Sequence, residues 1–398
     1  MSSRAAFDGP ALLSYGFRPF FLAATLFALL VLPLWWSVWR GGVVLGGPFA
    51  PTDWHVHEMI FGYGAAVVAG FLFTAVPNWT GRLPTQGWPL AVLLALWLVG
   101  RLSVAGAMGL GPVPVLIMDQ VFLLAVAAMI AREIVAGRNW RNLKVLVPVS
   151  LLWLANVVFH VEAMVSGDAA HGRRFGMALL IFLIMLIGGR IVPSFSRNWL
   201  VQRGAKSLPT AFNRFDALSL VVGAVALVSW VTAPKGMVVA VWAGLAAILH
   251  MVRLLRWRGH ATWRSPLLLM LHLAYLMVPL GLAAVSASAL GLIAPNIGAH
   301  VLGIGAVTAM TVAVMMRATM GHTGRALIAG RALVVAFALV LIAMVLRVMA
   351  GRVVIGALDG IDLAAGAWTA AFAIVIWRLG PWLLQPKRGQ KAVSRAPQ

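Results

Sequence analysis

The chain has no cysteine, three tyrosines and only ten acidic residues among 398. Without cysteine there is no disulfide, no thiolate metal site, no iron–sulfur cluster and no covalent C-x-x-C-H haem attachment. Any metal must be held by His, Met, Tyr, carboxylate or backbone groups. Charge is equally scarce. Charged residues make up 10% of the chain against 62% hydrophobic, and the mean hydropathy is +0.95. That balance excludes an ordinary soluble domain. Long apolar runs without strict alternation exclude a β-barrel. No Walker A loop, G-x-G-x-x-G turn, H-E-x-x-H or G-x-S-x-G occurs in its working context. What is left is an all-α polytopic membrane protein, because lipid forces each backbone polar group to be satisfied inside its own helix.

What is present is a series of twelve apolar runs, each near the ~20 residues needed to cross a ~30 Å hydrocarbon core. The expected spans are 17–39, 55–76, 89–109, 113–132, 145–165, 174–193, 216–233, 237–255, 266–290, 297–316, 330–349 and 362–384. The longest connections are expected near 194–215 and 40–54. The first run lacks a small-residue cleavage site and reads as a retained span, not a signal peptide. Residues 1–384 then form one transmembrane domain, followed by a basic cytoplasmic tail over 385–398. The formal charge of +21 does not call for a nucleic-acid partner, because the bases punctuate the loops. With the N-terminus inside, only Arg40, Arg173, Arg174, Lys235, Arg347 and Arg352 face outward, and Arg101 lies within a span. The other 24 of the 31 bases fall inside. This bias places both termini in the cytoplasm.

Part of the chain repeats. Residues 57–82, HEMIFGYGAAVVAGFLFTAVPNWTGR, align without a gap on 300–325, HVLGIGAVTAMTVAVMMRATMGHTGR. His57 falls on His300, Gly62 on Gly305, and Thr80-Gly81-Arg82 on Thr323-Gly324-Arg325. These are spans 2 and 10. A looser copy starts at residue 171 in span 6, where Val192-Pro193 echoes Val76-Pro77. The spacing of four spans suggests three four-helix units in one orientation.

Topology gives depth. His55, His57 and Glu58 open span 2 near the outer face, and His300 opens span 10 at a matching depth. His160 and Glu162 close span 5 on the same side. Arg101 and Asp119 fall in the outer half, whereas His272 lies in the inner third of span 9. Ionisable groups inside a membrane are functional by default. Neutral imidazole is the commonest protein metal ligand, and two histidines from different helices suit the axial positions of a haem. His57 and His300, related by the repeat, are the expected pair. His55 is about 200° around the helix from His57 and is assigned to a second site with His160. His272 stays open between ligand and buried hydrogen-bond donor. Glu58, Arg101, Asp119, Tyr63 and Tyr275 are the expected support. In the simplest arrangement Arg101 neutralises Asp119 or Glu58 in a buried pair. Both tyrosines read equally well as core residues with satisfied hydroxyls. The 17 tryptophans are mostly interface belts and the 18 methionines mostly packing.

The motifs WHVHEM, FGYGAA, GFLFTAVPNWTGR, GGRIVPSFSRNW and RATMGHTGR together resemble the NnrS family over nearly the whole chain. That resemblance implies a bacterial inner-membrane protein of the nitric oxide response. It implies haem b, allows copper, and makes nitric oxide or a related small molecule the partner, with an unidentified electron donor. The layout also resembles the catalytic subunit of haem–copper oxidases, by architecture alone. This chain has no His-His pair after span 7, no histidine in the body of span 6 and no H-x-H on span 10. An oxidase-type copper site and proton-pumping oxidase activity are therefore not carried over. Two functional classes stay open: a nitric-oxide-reactive haem enzyme or scavenger, and a transporter or channel using the same histidines as ligands for a small molecule or metal ion.

Overall fold

A computed structural model of the chain describes residues 7–138, 140 and 143–388. It contains twelve long helices: α1 (Phe17–Trp39), α2 (Pro51–Thr80), α3 (Trp88–Val104), α4 (Pro112–Ala136), α5 (Leu143–Ser166), α6 (Ala170–Val201), α7 (Arg214–Thr232), α8 (Met237–Leu255), α9 (Pro266–Ala289), α10 (Pro295–His322), α11 (Arg331–Val348) and α12 (Gly360–Leu384). Eleven are long and apolar enough to cross a membrane; α3, at 17 residues, meets the lower end of spanning lengths. The chain is an all-α multi-pass membrane protein. Among the described residues the strands are confined to one two-residue hairpin, Val354–Ile355 with Leu358–Asp359.

Local chemistry explains the helix starts. Proline occupies the first turn of α2, α3, α4, α9 and α10, where its missing N–H costs nothing. Capping boxes begin α7 (Asn213 with Asp216) and α12 (Asp359 with Asp362). The second box also joins α12 to α1, since Arg40 Nη2 lies 2.6 Å from both Asp359 Oδ2 and Asp362 Oδ1. The Arg40 hydrogen bond holds the Asp359 carboxyl below its ordinary range. The tie is therefore present at neutral pH and is lost as pH falls through that lowered value.

Helices α2, α6 and α10 run 30, 32 and 28 residues, longer than the apolar windows that mark them in the sequence. Their polar ends, such as Asn78–Thr80 and Arg317–His322, continue the helix, and Thr80 Oγ1 and Asn78 Nδ2 bond back to the carbonyls of Val76 and Thr74. The connections expected over 40–54 and 194–215 shrink accordingly. Each of the three helices contains a π-helical stretch: Glu58–Gly64, Ile184–Gly188 and Val301–Thr308. The first and last start at positions related by the same shift that aligns His57 with His300. Gly81 and Gly324, also aligned, both take φ +71°. The 2–10 repeat is thus a property of the backbone as well as of the sequence. The third π stretch stands closer to Val192-Pro193 than the first does to Val76-Pro77, so that copy is out of register.

A π turn frees backbone carbonyls, which in lipid must find donors. Side chains supply them. Trp97 Nε1 donates to Gly62 O (3.0 Å), Arg253 Nη1 to Met185 O (2.8 Å) and Thr308 Oγ1 to Gly303 O (3.1 Å). The three π-bearing helices meet at the centre of the bundle. Both α2 and α10 contact α6. Tyr63 on α2 and Thr311 on α10 are joined by a 2.7 Å hydrogen bond. The central window of α2 is 78% buried, against 33% for α1.

Gly81 closes α2 in the left-handed region with no atom within 4 Å of the place a Cβ would take. Gly81→Ala is therefore expected to destabilise through the backbone alone, by about 1–2 kcal/mol. Gly366→Ala, in the body of α12 and equally unobstructed, is expected to cost nothing. Thermal unfolding of the detergent-solubilised protein checks both. At the equivalent Gly324 the segment that follows α12 docks, with Arg388 N–H donating to Thr323 O at 3.1 Å. Arg18 Nη1 donates nearby to Leu383 O and Gln385 O. The rest of the expected tail, 389–398, lies outside the described residues.

Candidate functional site

Two distinct sites stand at the end of the bundle where α2 begins. The first is a buried ionic cluster shared by α2, α3, α4 and α5. Arg101 reaches from α3 to both carboxylates: Nη1 donates to Glu58 Oε1 at 2.6 Å, and Nη2 pairs with Asp119 Oδ1. The other Asp119 oxygen, Oδ2, faces three groups. It accepts from Asn156 Nδ2 at 2.7 Å, and the Nε2 atoms of His57 and His160 each lie 3.1 Å away. His57 Nδ1 points to Glu58 Oε1 at 3.3 Å. Phe49, Phe61 and Phe159 pack on the two imidazoles and keep them dry. His57, Glu58, Arg101, Asp119, Asn156 and His160 are all buried. Among the described residues, His57, Asp119 and His160 are the grouping whose ligand atoms lie within 4.8 Å of one another. Helix packing makes room for this. A Cβ on Gly62 would meet Glu58 Oε2 at 2.7 Å, and one on Gly100 would meet Asp119 Oδ1 at 2.8 Å.

The second site is a cavity of about 650 Å³ on the other face of α2, bounded chiefly by α1, α2, α6, α10, α11 and α12. His55 and His300 both line it, as do Tyr63 and the indoles of Trp35, Trp36, Trp39, Trp230 and Trp368. His55 stacks on Trp35 with ring centroids 4.6 Å apart, and its buried Nδ1 has no hydrogen-bond partner. His300 Nδ1–H donates to Asn296 O at 2.7 Å, which leaves Nε2 as the basic nitrogen. Arg173, Arg174, Lys235 and Arg347 complete the lining. Arg173 is spoken for by Asp53 and Asp168. Arg174 donates to Val231 O at 3.2 Å, and no carboxylate pairs with Lys235 or Arg347 among the described residues.

The structure thus exchanges the expected partners. His57 does not line the cavity and does not meet His300, because both its ring nitrogens turn into the ionic cluster. His160 joins His57, not His55. The cause is the 200° that separates His55 from His57 on one helix: α2 lies between the two sites and presents one imidazole to each. His272 belongs to neither. Its Nε2 bonds Ser196 Oγ at 2.8 Å, and its buried Nδ1 is without a partner. Tyr275 lies in a separate cluster on α9, hydrogen-bonded to His250 Nδ1 (2.8 Å) and Arg253 Nη1 (3.0 Å), with Arg253 paired to Asp216 at 3.0 Å. Glu162 stays near the surface and binds His171.

Sequence reading missed Asn156 and the four bases of the cavity. Asn156 carries no signal, being one amide in an apolar helix. The bases do carry one. Only six were expected to face outward, and four of those six line this cavity.

A family model described as NnrS protein matches residues 11–387 of the chain. No curated protein matches it.

Proposed function

The chain belongs to the NnrS family, and from that premise we propose that it is a haem-binding membrane protein acting in nitric oxide metabolism or in protection from nitrosative stress. The observation that carries this reading is the cavity. It brings two histidines with uncommitted nitrogens together with four bases in an otherwise apolar, tryptophan-lined space. Its volume lies in the range of cofactor sites. A flat apolar molecule with two carboxylates on one edge suits such a space, and haem b has that shape and charge. His55 and His300 would hold its iron, and Arg174, Lys235 and Arg347, which no carboxylate neutralises among the described residues, would neutralise its carboxylates.

Bound haem supplies an iron that takes nitric oxide as a ligand and exchanges single electrons with a donor. The chain's own residues do the rest. The Asn296 carbonyl fixes the His300 tautomer so that Nε2 keeps its lone pair. Trp35 orients the His55 ring by stacking, and the indole walls exclude water. Whether one or both imidazoles bind iron determines whether a position stays open for nitric oxide. The excess of bases at the opposite end supports an inner-membrane orientation with both termini cytoplasmic and the cavity toward the outer leaflet. A small apolar gas would reach it through lipid.

The test is a reduced-minus-oxidised optical spectrum of the purified protein, repeated with nitric oxide, with haem content measured on the same sample. A b-type spectrum whose Soret band moves on adding nitric oxide is expected. Haem binding should also quench tryptophan fluorescence, since five indoles line the cavity. A folded, haem-supplied preparation without haem would overturn the reading and move His55 and His300 into a transport pathway.

A further inference from the structure

The two copies of the repeat end differently. Arg82 and Arg325 follow the aligned glycines Gly81 and Gly324. Arg82 Nε donates to Glu133 Oε2 at 2.6 Å. The same atom of Arg325 is buried and has no hydrogen-bond partner. The other Arg325 nitrogens meet neutral oxygens, Nη2 the Gln385 side chain at 3.3 Å and Nη1 the Thr323 carbonyl at 3.5 Å. What surrounds this guanidinium is more positive charge. Arg325 and Arg378 both lie over the Trp382 indole, 4.8 and 5.5 Å from its centroid. Lys387 Cγ and Arg388 Cβ come within 3.5 and 3.6 Å of the place a Cβ on Gly324 would take. Arg18, beside them, is occupied with the last carbonyls of α12. Burial, and then the charge of Arg388, lower the Arg325 guanidinium from its ordinary value. All ten acidic residues of the chain lie among the described residues, and none pairs with Arg325, Arg378, Lys387 or Arg388. No side-chain carboxylate of this chain supplies their counter-charge.

We infer that Arg325, Arg378, Lys387 and Arg388 bind the phosphate group of an anionic phospholipid at the end of the bundle opposite the cavity. The phosphate takes the place at Arg325 that Glu133 takes at Arg82. Guanidinium N–H groups match phosphate oxygens in spacing and charge. The position favours a lipid over a soluble anion. The start of α1 and the ends of α10 and α12 meet here, at the depth where a spanning helix leaves the hydrocarbon. Trp382 is the side chain of that depth, and headgroup phosphates share it. Anionic headgroups attract bases set at this level. The ring of Trp377, with Arg378 over it at 5.2 Å, is exposed and offers apolar surface to an acyl chain. A bound phosphate also offsets the repulsion that the segment after α12 brings to the end of α10, and so holds that segment in place. None of these residues lines the cavity, so this proposal and the haem reading fail separately.

The experiment strips the full-length protein of lipid in a non-ionic detergent and adds back phosphatidylglycerol, phosphatidylcholine or inorganic phosphate. Thermal unfolding and native mass spectrometry read the result. Phosphatidylglycerol is expected to raise Tm and to be retained, whereas the other two are not. Arg325→Gln and Arg378→Gln should each weaken that binding about tenfold, the worth of one charged hydrogen bond. Arg264→Gln, an exposed base at the same end, should leave it unchanged. Gln385→Glu puts a carboxylate beside Arg325 and should stabilise the lipid-free protein while removing its response to phosphatidylglycerol. Equal shifts from phosphatidylglycerol and phosphatidylcholine would overturn the site. An equal shift from inorganic phosphate would overturn the lipid and leave a soluble anion in its place. Wild-type affinity in both arginine variants would overturn the assignment of residues. If those variants do not fold, Gln385→Glu decides, and a full response to phosphatidylglycerol there would sink the proposal.

Discussion

His300→Ala is expected to purify as a folded bundle with haem content reduced about tenfold or more, a loss of at least ~1.4 kcal/mol of binding free energy. His55→Ala is expected to lose haem or to change its optical spectrum. The reason lies in what each imidazole already does. His300 spends Nδ1–H on the Asn296 carbonyl, so truncation removes one local bond and one free nitrogen. His55 has no hydrogen-bond partner at Nδ1, so its removal costs the fold little. His57→Ala is expected to behave differently. It should destabilise the protein and leave haem in place, because that ring belongs to the ionic cluster. Unchanged haem and spectra in both cavity variants would remove these two histidines from the ligand list.

Arg101→Met is expected to be among the most damaging single substitutions in the chain. Arg101 is buried and is the guanidinium between Glu58 and Asp119. Methionine fills much of the same volume but leaves two carboxylates uncompensated in a dry site. Breaking a buried pair from one side costs about 3–5 kcal/mol. A variant that also carries Glu58→Gln and Asp119→Asn is expected to recover much of that loss, because the charges then leave together. Thermal unfolding in detergent, with yield of monodisperse protein as a second readout, checks the ordering. Equal stability of Arg101→Met and the wild type would mean that water reaches the cluster.

The regular part of this protein was legible without coordinates. Twelve helices follow from apolar runs of membrane length, and the orientation expectation follows from where lysine and arginine fall. The repeat between spans 2 and 10 was legible too, because the shift that aligns His57 with His300 also aligns Gly81 with Gly324. What it repeats is backbone geometry: a π stretch near the start and a left-handed glycine at the end. That is why it preserved glycines and a Thr-Gly-Arg turn but did not give His57 and His300 the same environment.

The pairing of side chains was not legible. Depth places His55, His57, His160 and His300 in one layer, and depth is what a one-dimensional pattern supplies. Which of them face each other depends on the rotation of α2 about its own axis and on its neighbours on each side. Helices α3, α4 and α5 bring Arg101, Asp119, Asn156 and His160 to the His57 face. Helices α1, α6, α10, α11 and α12 enclose His55 on the other. Hydrophobicity along the chain determined the spans, because lipid tests each residue against one environment. Only tertiary packing decided the sites, because an ion pair or a metal ligand set is defined by which two helix faces meet.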